Sequence, residues 1–422
     1  MKFLKTISRT PLFKVTSLNS AGILLKIGTG LVTSKVLAVF VGPGGMALVG
    51  NLRNFLTSVE SISTLGFQNG IVKYIVEHKD NKAELQKIMS TVFLSLIAVT
   101  LVLSGVLFGL ASYWNHFIFG NYDFSDIFKI LALVLPWYAT TVFLIAAVNG
   151  LGKFRNVIRI NIIGNIIGLL FSIAVIWKYS TFGALLSIII PPSLLFFAAF
   201  YYINKEMQFV KAISIASFDA KVIKNLSAYS LMALVSSVCG PLVFLAIRNN
   251  VIDVLGIAQA GYWEAITRVS TYYLMFISSI LTVYFFPKLA HSTNVKATKN
   301  VFRSYYTGIL PLFVIGLIVL YFVRFFIVRL LFSPEFLPVA GLFFWQLVGD
   351  TFKAAALILG YQFFAKKLTV AFIVTELFSL ALMYIFSHCF IQSYGIEGIV
   401  MAHALTYFIY LITLGIYFRK SI

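Results

Sequence analysis

An all-α polytopic membrane protein is the fold class this sequence predicts, and three observations predict it. The chain of 422 residues is 60% hydrophobic and only 11% charged, with a mean hydropathy of +0.94, whereas soluble domains carry roughly 25% charged residues. Apolar runs of about 20 residues, the length a helix needs to cross a bilayer core, recur from end to end. Alternating ten-residue segments of the outer-membrane barrel kind do not occur. Helices must therefore satisfy the backbone inside the membrane.

Taken in order, the apolar runs divide the chain into twelve spans, at about 17–41, 47–76, 88–113, 127–149, 157–178, 181–203, 223–248, 256–288, 302–323, 340–365, 368–390 and 396–418. The net charge of +19 would suit a nucleic-acid partner, but the basic residues sit in short loops between spans, and the positive-inside bias accounts for that. With the N-terminus in the cytoplasm, 22 of the 33 Lys and Arg residues fall in inside segments, among them Lys2, Lys5, Arg9, Lys14, Lys79, Lys366 and Lys367. Only Lys129, Lys178, Arg248, Arg324 and Arg329 lie on outside flanks. Both termini are thus expected in the cytoplasm. No cleavable signal peptide is evident, so the first helix is expected to act as its own insertion signal. Cys239 and Cys389 lie in apolar spans and imply neither a disulfide framework nor a metal site.

The longest inside loop makes a seam at 206–222, between an N-terminal half, 1–205, and a C-terminal half, 223–422. The halves look faintly alike: Val41-Gly42-Pro43-Gly44 corresponds to Leu255-Gly256-Ile257-Ala258, and Asn149-Gly150 before Lys153 to Leu359-Gly360 before Lys366. Six spans per half give a parallel repeat. Pro136, Pro191, Pro192, Pro241, Pro287 and Pro311 fall inside or at the ends of spans, where a missing N–H can bend a helix.

Charge at membrane depth is expensive and usually faces a cavity or a partner. In span ten, Gln346, Asp350 and Lys353 are spaced i, i+4, i+7, so one helix face carries all three. In span two, Arg53 and Glu60 lie about 20° apart on the helical wheel. In span eight, Glu264 and Arg268 are i, i+4 and can pair. Lys26, near the middle of span one, is a cavity candidate; Lys35 lies on the opposite side and suits an acid elsewhere or snorkelling. Arg248-Asn249-Asn250 ends span seven near the outer surface, as a solvated end or a gate. Glu376 in span eleven is a lone acid, and His403 in span twelve reads as a hydrogen-bonded interior histidine. Asn161, Gly164, Asn165 and Gly168 read as close helix packing.

No Ser/His/Asp arrangement, metal-ligand cluster or glycine-rich nucleotide loop is placed by the sequence, and no soluble segment is large enough to bind ATP. A transporter driven by an ion gradient, the membrane potential or downstream consumption of its product, not an enzyme, is the expectation. No cofactor is expected; Asp350 and Glu376 are candidates for coupling to a proton or sodium.

Several stretches then carry a resemblance: Leu24-Leu25-Lys26-Ile27-Gly28, Lys35-Val36-Leu37-Ala38, Gly42-Pro43-Gly44-Gly45, Asn69-Gly70-Ile71-Val72-Lys73-Tyr74, Leu231-Met232-Ala233-Leu234, Arg248-Asn249, Trp345 to Asp350 with Lys353, and Gly360-Tyr361. Together, in order along nearly the whole chain, they resemble the Wzx-type flippases of O-antigen synthesis, nearest the branch acting on enterobacterial common antigen. The resemblance implies the multidrug/oligosaccharidyl-lipid/polysaccharide exporter fold, two six-helix lobes around a central cavity in the bacterial inner membrane. It implies an undecaprenyl-pyrophosphate-linked oligosaccharide as substrate, with a polymerase and a chain-length regulator as pathway partners. A pyrophosphate needs cations in a wet cavity, and Lys26, Arg53, Arg268 and Lys353 are the candidates. Glu60, Glu264 and Asp350 would hold them when the site is empty. The rival readings are a cation-coupled multidrug exporter of the same superfamily, which would want acids to dominate; a polymerase or ligase, which needs a large periplasmic loop; and a peptidoglycan-precursor flippase, which usually has more than twelve helices.

Overall fold

The computed structural model describes residues 11–78, 80–292 and 294–420. Lys2, Lys5, Arg9 and Lys79 lie outside the described residues, as do the side chains of Lys14 and Asn69. The described residues form helices and no strands. Nine of the helices are long and apolar enough to cross a membrane.

In chain order the principal helices are α1 (Pro11–Phe40), α2 (Gly42–Ser63), α3 (Gln68–His78), α4 (Lys82–Gly109), α5 (Ala111–Phe119), α6 (Ser125–Gly150) and α7 (Phe154–Glu206). They continue with α8 (Ala220–Leu255), α9 (Ile257–His291), α10 (Val295–Phe322), α11 (Arg324–Leu331), α12 (Val339–Ala365) and α13 (Thr369–Tyr417). Two compact units result. Unit 1 holds the chain up to Val36 and Leu52–Val238; unit 2 holds Leu37–Asn51 and Cys239 onward. The first turns of α2 therefore belong to unit 2 and its remainder to unit 1.

The expected span at 47–76 is broken. α2 stops at Ser63, the chain passes through Leu65 (φ 55) and Gly66 (φ 63), and α3 starts at Gln68. Gly66 can adopt this left-handed backbone freely, and a Cβ there would lie 3.1 Å from the Ser230 carbonyl oxygen. The polar and glycine-bearing run from Ser61 to Gly70, with Gly66 and Asn69-Gly70, marks the turn that a single long span passes over.

α7 and α13 are 53 and 49 residues long, far more than one bilayer crossing requires. Each is bent back near its middle. In α7 the bend is Ser180 (φ 49, ψ −124), and a Cβ on Gly183 would lie 1.9 Å from the Val175 carbonyl oxygen. In α13 the bend is Gly395 (φ 57, ψ −138), and a Cβ on Gly398 would lie 2.4 Å from the Phe390 carbonyl oxygen. The device is the same in both: a positive φ, then three residues later a glycine against the carbonyl eight residues before it. The positive-φ positions Gly42, Gly152 and Ser180 recur as Gly256, Lys367 and Gly395, at an offset of about 215 residues. The backbone thus repeats from one half of the chain to the other.

The prolines act in two ways. Pro136, Pro191, Pro192 and Pro241 lie within continuous helices. Pro287 and Pro311 each follow a π-helical turn, Leu281–Phe285 and Tyr305–Ile309. The wider turn makes room where the pyrrolidine ring would otherwise clash with a carbonyl one turn earlier.

Within unit 1, α6 packs chiefly on α7, α4 and α3. The approach is close: a Cβ on Gly150 would fall 2.7 Å from Ile75, and one on Gly164 would fall 2.5 Å from Leu195. Gly164 thus serves the packing expected of it, but Asn161 is exposed. Within unit 2, α12 packs on α13 and α9. Tyr305 and Tyr306 of α10 donate hydrogen bonds to the Ala354 and Ala355 carbonyls of α12 at 2.8 and 2.9 Å.

The bend in α13 is testable. Gly395→Ala should cost about 1–3 kcal/mol, the usual size of strain at an unfavourable backbone, and lower the thermal unfolding midpoint of the purified protein. Gly415→Ala, with open space at its Cβ, should not. Equal midpoints for the two variants would remove the strain argument.

Candidate functional site

Two polar clusters are built on α9, both inside unit 2. The first is ionic. Glu264 and Arg268 stand one turn apart on α9, and the Arg268 Nε donates to Glu264 Oε1 at 2.9 Å. Arg248 from α8 donates its Nη2 to Glu264 Oε2 at 2.8 Å. Arg248, Glu264 and Arg268 are 2%, 3% and 5% exposed. The Arg248 guanidinium lies over the Trp263 ring, 5.0 Å from its centroid. Its Nη1 reaches Asn51 Oδ1 at 3.4 Å, and Asn51 in turn donates to Asn249 Oδ1 at 2.8 Å. Arg248 is therefore neither a solvated end nor near one; it lies two turns before α8 stops, and stacking plus the carboxylate offset its desolvation.

Gly50 makes the cluster possible. A Cβ there would sit 2.5 Å from Glu264 Oε2 and 2.9 Å from Arg248 Cζ. Two donors remain unused: Arg248 Nε and Arg268 Nη2 are buried with no hydrogen-bond partner among the described residues. Buried guanidinium N–H groups normally find acceptors, so the cluster has two donors not yet matched to an acceptor.

The second cluster surrounds Asp350 of α12, which is 0% exposed. Its Oδ2 accepts from Ser270 Oγ at 2.6 Å, from Gln346 Nε2 at 3.0 Å and from the Tyr273 hydroxyl. Its Oδ1 faces His403 Nε2 of α13 at 3.0 Å. Gly349 lets His403 approach, because a Cβ there would lie 2.4 Å from the His403 Cδ2. Lys353, one turn on, is half-buried with its Nζ over the Tyr407 ring, 5.0 Å from the centroid. Its charge interacts with Asp350 and Glu376, yet it makes no ion pair within 4 Å among the described residues. Asp350 is held by four hydrogen-bonding side chains rather than by Lys353.

In unit 1, Glu60 accepts from the Tyr138 hydroxyl of α6 and from Gln68 Nε2 of α3 at 3.3 Å, tying three helices together. Arg53 is half-buried on α2, and Lys26 is exposed on α1. Of the residues expected from sequence, Glu264 and Arg268 meet directly, and Asp350, Lys353 and Glu376 share one electrostatic neighbourhood. Ser270, Tyr273, Tyr138 and Asn51 were not legible as site residues. Ser270 and Tyr273 follow Arg268 on α9, but a Ser and a Tyr in an apolar run carry no distinguishing mark until Asp350 is placed opposite. Among the described residues no three His, Cys, Asp or Glu side chains gather as a metal site.

The family model described as "Polysaccharide biosynthesis protein" matches residues 12–293, about two-thirds of the chain. The chain belongs to this family. It is 29% identical over 401 residues to the lipid III flippase of Escherichia coli (strain K12), covering 94% of this chain and 96% of that one. It is 24% identical over 298 residues to a putative O-antigen transporter of Shigella flexneri, covering 67% and 68%. Its fold is that of the lipid II flippase MurJ (TM-score 0.72, 17% identity, 96% of this chain and 87% of that chain) and of a multidrug resistance MATE family transporter of the MOP superfamily (TM-score 0.73, 13% identity, 94% of each). This family member is a multi-pass membrane protein, and its relatives are named as flippases and transporters.

Gly50→Ala should overpack the ionic cluster at a cost of about 1–3 kcal/mol, lowering the thermal midpoint. Gly360→Ala, with open space at its Cβ, should stay within about 0.5 kcal/mol of the parent. A Gly50→Ala protein as stable as Gly360→Ala would contradict the close approach.

Proposed function

We propose that this protein is a flippase that turns an undecaprenyl-pyrophosphate-linked oligosaccharide, an O-antigen or enterobacterial common antigen unit, from the cytoplasmic to the periplasmic leaflet of the bacterial inner membrane. The observation that carries this reading is the likeness to the lipid III flippase along 94% of the chain. The sharing-out of Lys and Arg supports a cytoplasmic position for both termini. The bends in α7 and α13, with α2 added to the nine apolar helices, support twelve crossings. A polymerase and a chain-length regulator would take the product onward.

The chemistry of the buried cations suits a diphosphate. A guanidinium presents a planar fork to two oxygens at once. Arg268 has an unused Nη2 and Arg248 an unused Nε, while Glu264 holds both when no substrate is bound. Lys26, Arg53 and Lys353 are the further cations this reading assigns to the headgroup, and the prenyl tail remains in lipid. Phosphate oxygens compete with Glu264 for the two arginines, and that competition biases alternating access.

Asp350 is the coupling group in this reading, with Lys353 as its charged neighbour and Glu376 acting on Lys353 in turn. Its carboxylate is met by hydroxyl, amide and imidazole groups, an environment suited to passing a proton rather than seating sodium, which takes oxygen lone pairs. α9 carries both Glu264/Arg268 and Ser270/Tyr273, so a shift of this helix acts on substrate and coupling groups together. The multidrug-exporter reading is weaker: a cationic drug needs available acids, and Glu264 and Asp350 are both committed to internal partners.

A proteoliposome flipping assay tests the cationic path. Charge-removing changes at Lys26, Arg53 and Lys353 should each slow flipping of folded protein, and Arg268→Lys should not restore what Arg268→Gln loses; if all leave flipping intact, the reading fails. A second assay separates coupling from transport. His403→Gln should lose acceleration by an imposed pH gradient while keeping passive equilibration, whereas an undiminished pH response, or acceleration by a sodium gradient alone, would remove the proton.

A further inference from the structure

Unit 1 contains an apolar groove that the transport reading does not use. It is a cavity of about 430 Å³ whose walls include Phe93, Trp137, Phe196, Phe200, Phe209 and Val210. The first four project from α4, α6 and the second half of α7; the last two belong to the segment 207–219 that links α7 to α8. That segment is fixed to the body of unit 1. Phe209 is buried in its core. The Ser90 hydroxyl donates to the Ala212 carbonyl at 3.3 Å and accepts from the Ser214 N–H at 3.0 Å. Thr91 accepts from the Asp219 N–H at 2.9 Å.

The same segment exposes a mixture that water alone does not favour. Val210 and Ile215 are 69% and 81% exposed, and Phe218 is 46% exposed. Lys205 and Lys211 are exposed beside them and form no ion pair among the described residues. Glu206, the nearest acid, is taken by Lys153 at 2.6 Å. Apolar side chains dipping beside free cations mark a segment lying at a membrane surface that carries anionic lipid.

Depth agrees. At about 1.5 Å per residue, Phe200 lies about 9 Å from the basic end of α7, Phe93 about 16 Å from that of α4, and Trp137 about 20 Å from the corresponding end of α6. Phe200 falls within one leaflet of a hydrocarbon core about 30 Å thick, Phe93 lies near the midplane and Trp137 about 5 Å beyond it. Trp137 is 51% exposed, so the groove opens toward lipid.

We propose that this groove and the 205–211 segment form a binding site for an anionic phospholipid of the surrounding cytoplasmic leaflet. One acyl chain lies along Trp137, Phe196 and Phe200, and the phosphate rests on Lys205 and Lys211. Charge complementarity selects the headgroup, and the aromatic wall holds the chain. The occupant is a resident lipid rather than the cargo, whose pyrophosphate has its own buried arginines in the reading above. The site also tethers the inter-helix linker to the membrane surface, so lipid composition bears on the linker directly.

Trp137 provides the reporter. The full chain is placed in vesicles containing phosphatidylglycerol or phosphatidylcholine with brominated acyl chains, and the fluorescence difference between the parent and Trp137→Phe isolates Trp137. Brominated phosphatidylglycerol should quench Trp137 at a lower mole fraction than phosphatidylcholine. Lys205→Gln and Lys211→Gln together should erase the preference, by about fivefold for each lysine, while leaving quenching by phosphatidylcholine. Native mass spectrometry provides a second readout that spares Trp137: the parent should retain phosphatidylglycerol that the double variant loses. Equal quenching by the two headgroups, a preference that survives the double variant, or displacement of phosphatidylglycerol by a low mole fraction of undecaprenyl phosphate would each overturn the proposal.

Discussion

A charge inside a membrane protein must be compensated before it can do anything else. That constraint shapes unit 2. Asp350 has no exposed surface and is satisfied by hydrogen-bonding groups from three helices. Glu264 is shared by two buried arginines. Neither arrangement tolerates ordinary packing around it: Gly50 and Gly349 are needed because a methyl group would occupy the space taken by Glu264 or His403. Removing one member would leave an uncompensated buried charge, which is strongly destabilising. The substrate and coupling roles assigned above therefore rest on groups whose partners are already internal.

The backbone and the charges follow different rules. The turns at Gly42, Gly152 and Ser180 recur about 215 residues later at Gly256, Lys367 and Gly395, so the chain uses one topology twice. The buried ionic cluster does not recur; at the same offset from Glu264 stands Gly50, which lies against it. A repeated scaffold with an unrepeated site lets one half supply the space into which the other half places its charge. α2, whose first turns lie in unit 2 and whose later turns lie in unit 1, carries Gly50, Asn51, Arg53 and Glu60 and so contributes to both.

Much of this was legible in the sequence for physical reasons. Composition excluded a soluble domain, and apolar run length found the helices, with Val339–Ala365 nearly where 340–365 was expected. Spacing placed Glu264 with Arg268 because i, i+4 geometry is local. The remainder was not local. The break between α2 and α3 was marked locally by Gly66 and Asn69-Gly70, but the apolar residues on either side drew both helices into one span. Arg248 read as a solvated end or a gate because its partners, Trp263 and Glu264, come from another helix. Lys353 looked like the counterion of Asp350 because proximity on a wheel says nothing about Ser270, Tyr273 and His403 approaching from α9 and α13. His403 is hydrogen-bonded and interior, as expected, and its partner is Asp350 of α12.

Competition links the two roles of this cluster: Glu264 occupies the arginines that the substrate phosphates would take. The most direct measurement is equilibrium binding of undecaprenyl pyrophosphate to the purified full chain in nanodiscs, comparing the parent with Glu264→Gln. Glu264→Gln should bind the pyrophosphate more tightly and flip it more slowly, because the internal competitor that allows release is gone. Binding that is weaker than, or equal to, that of the parent in a folded Glu264→Gln protein would contradict it.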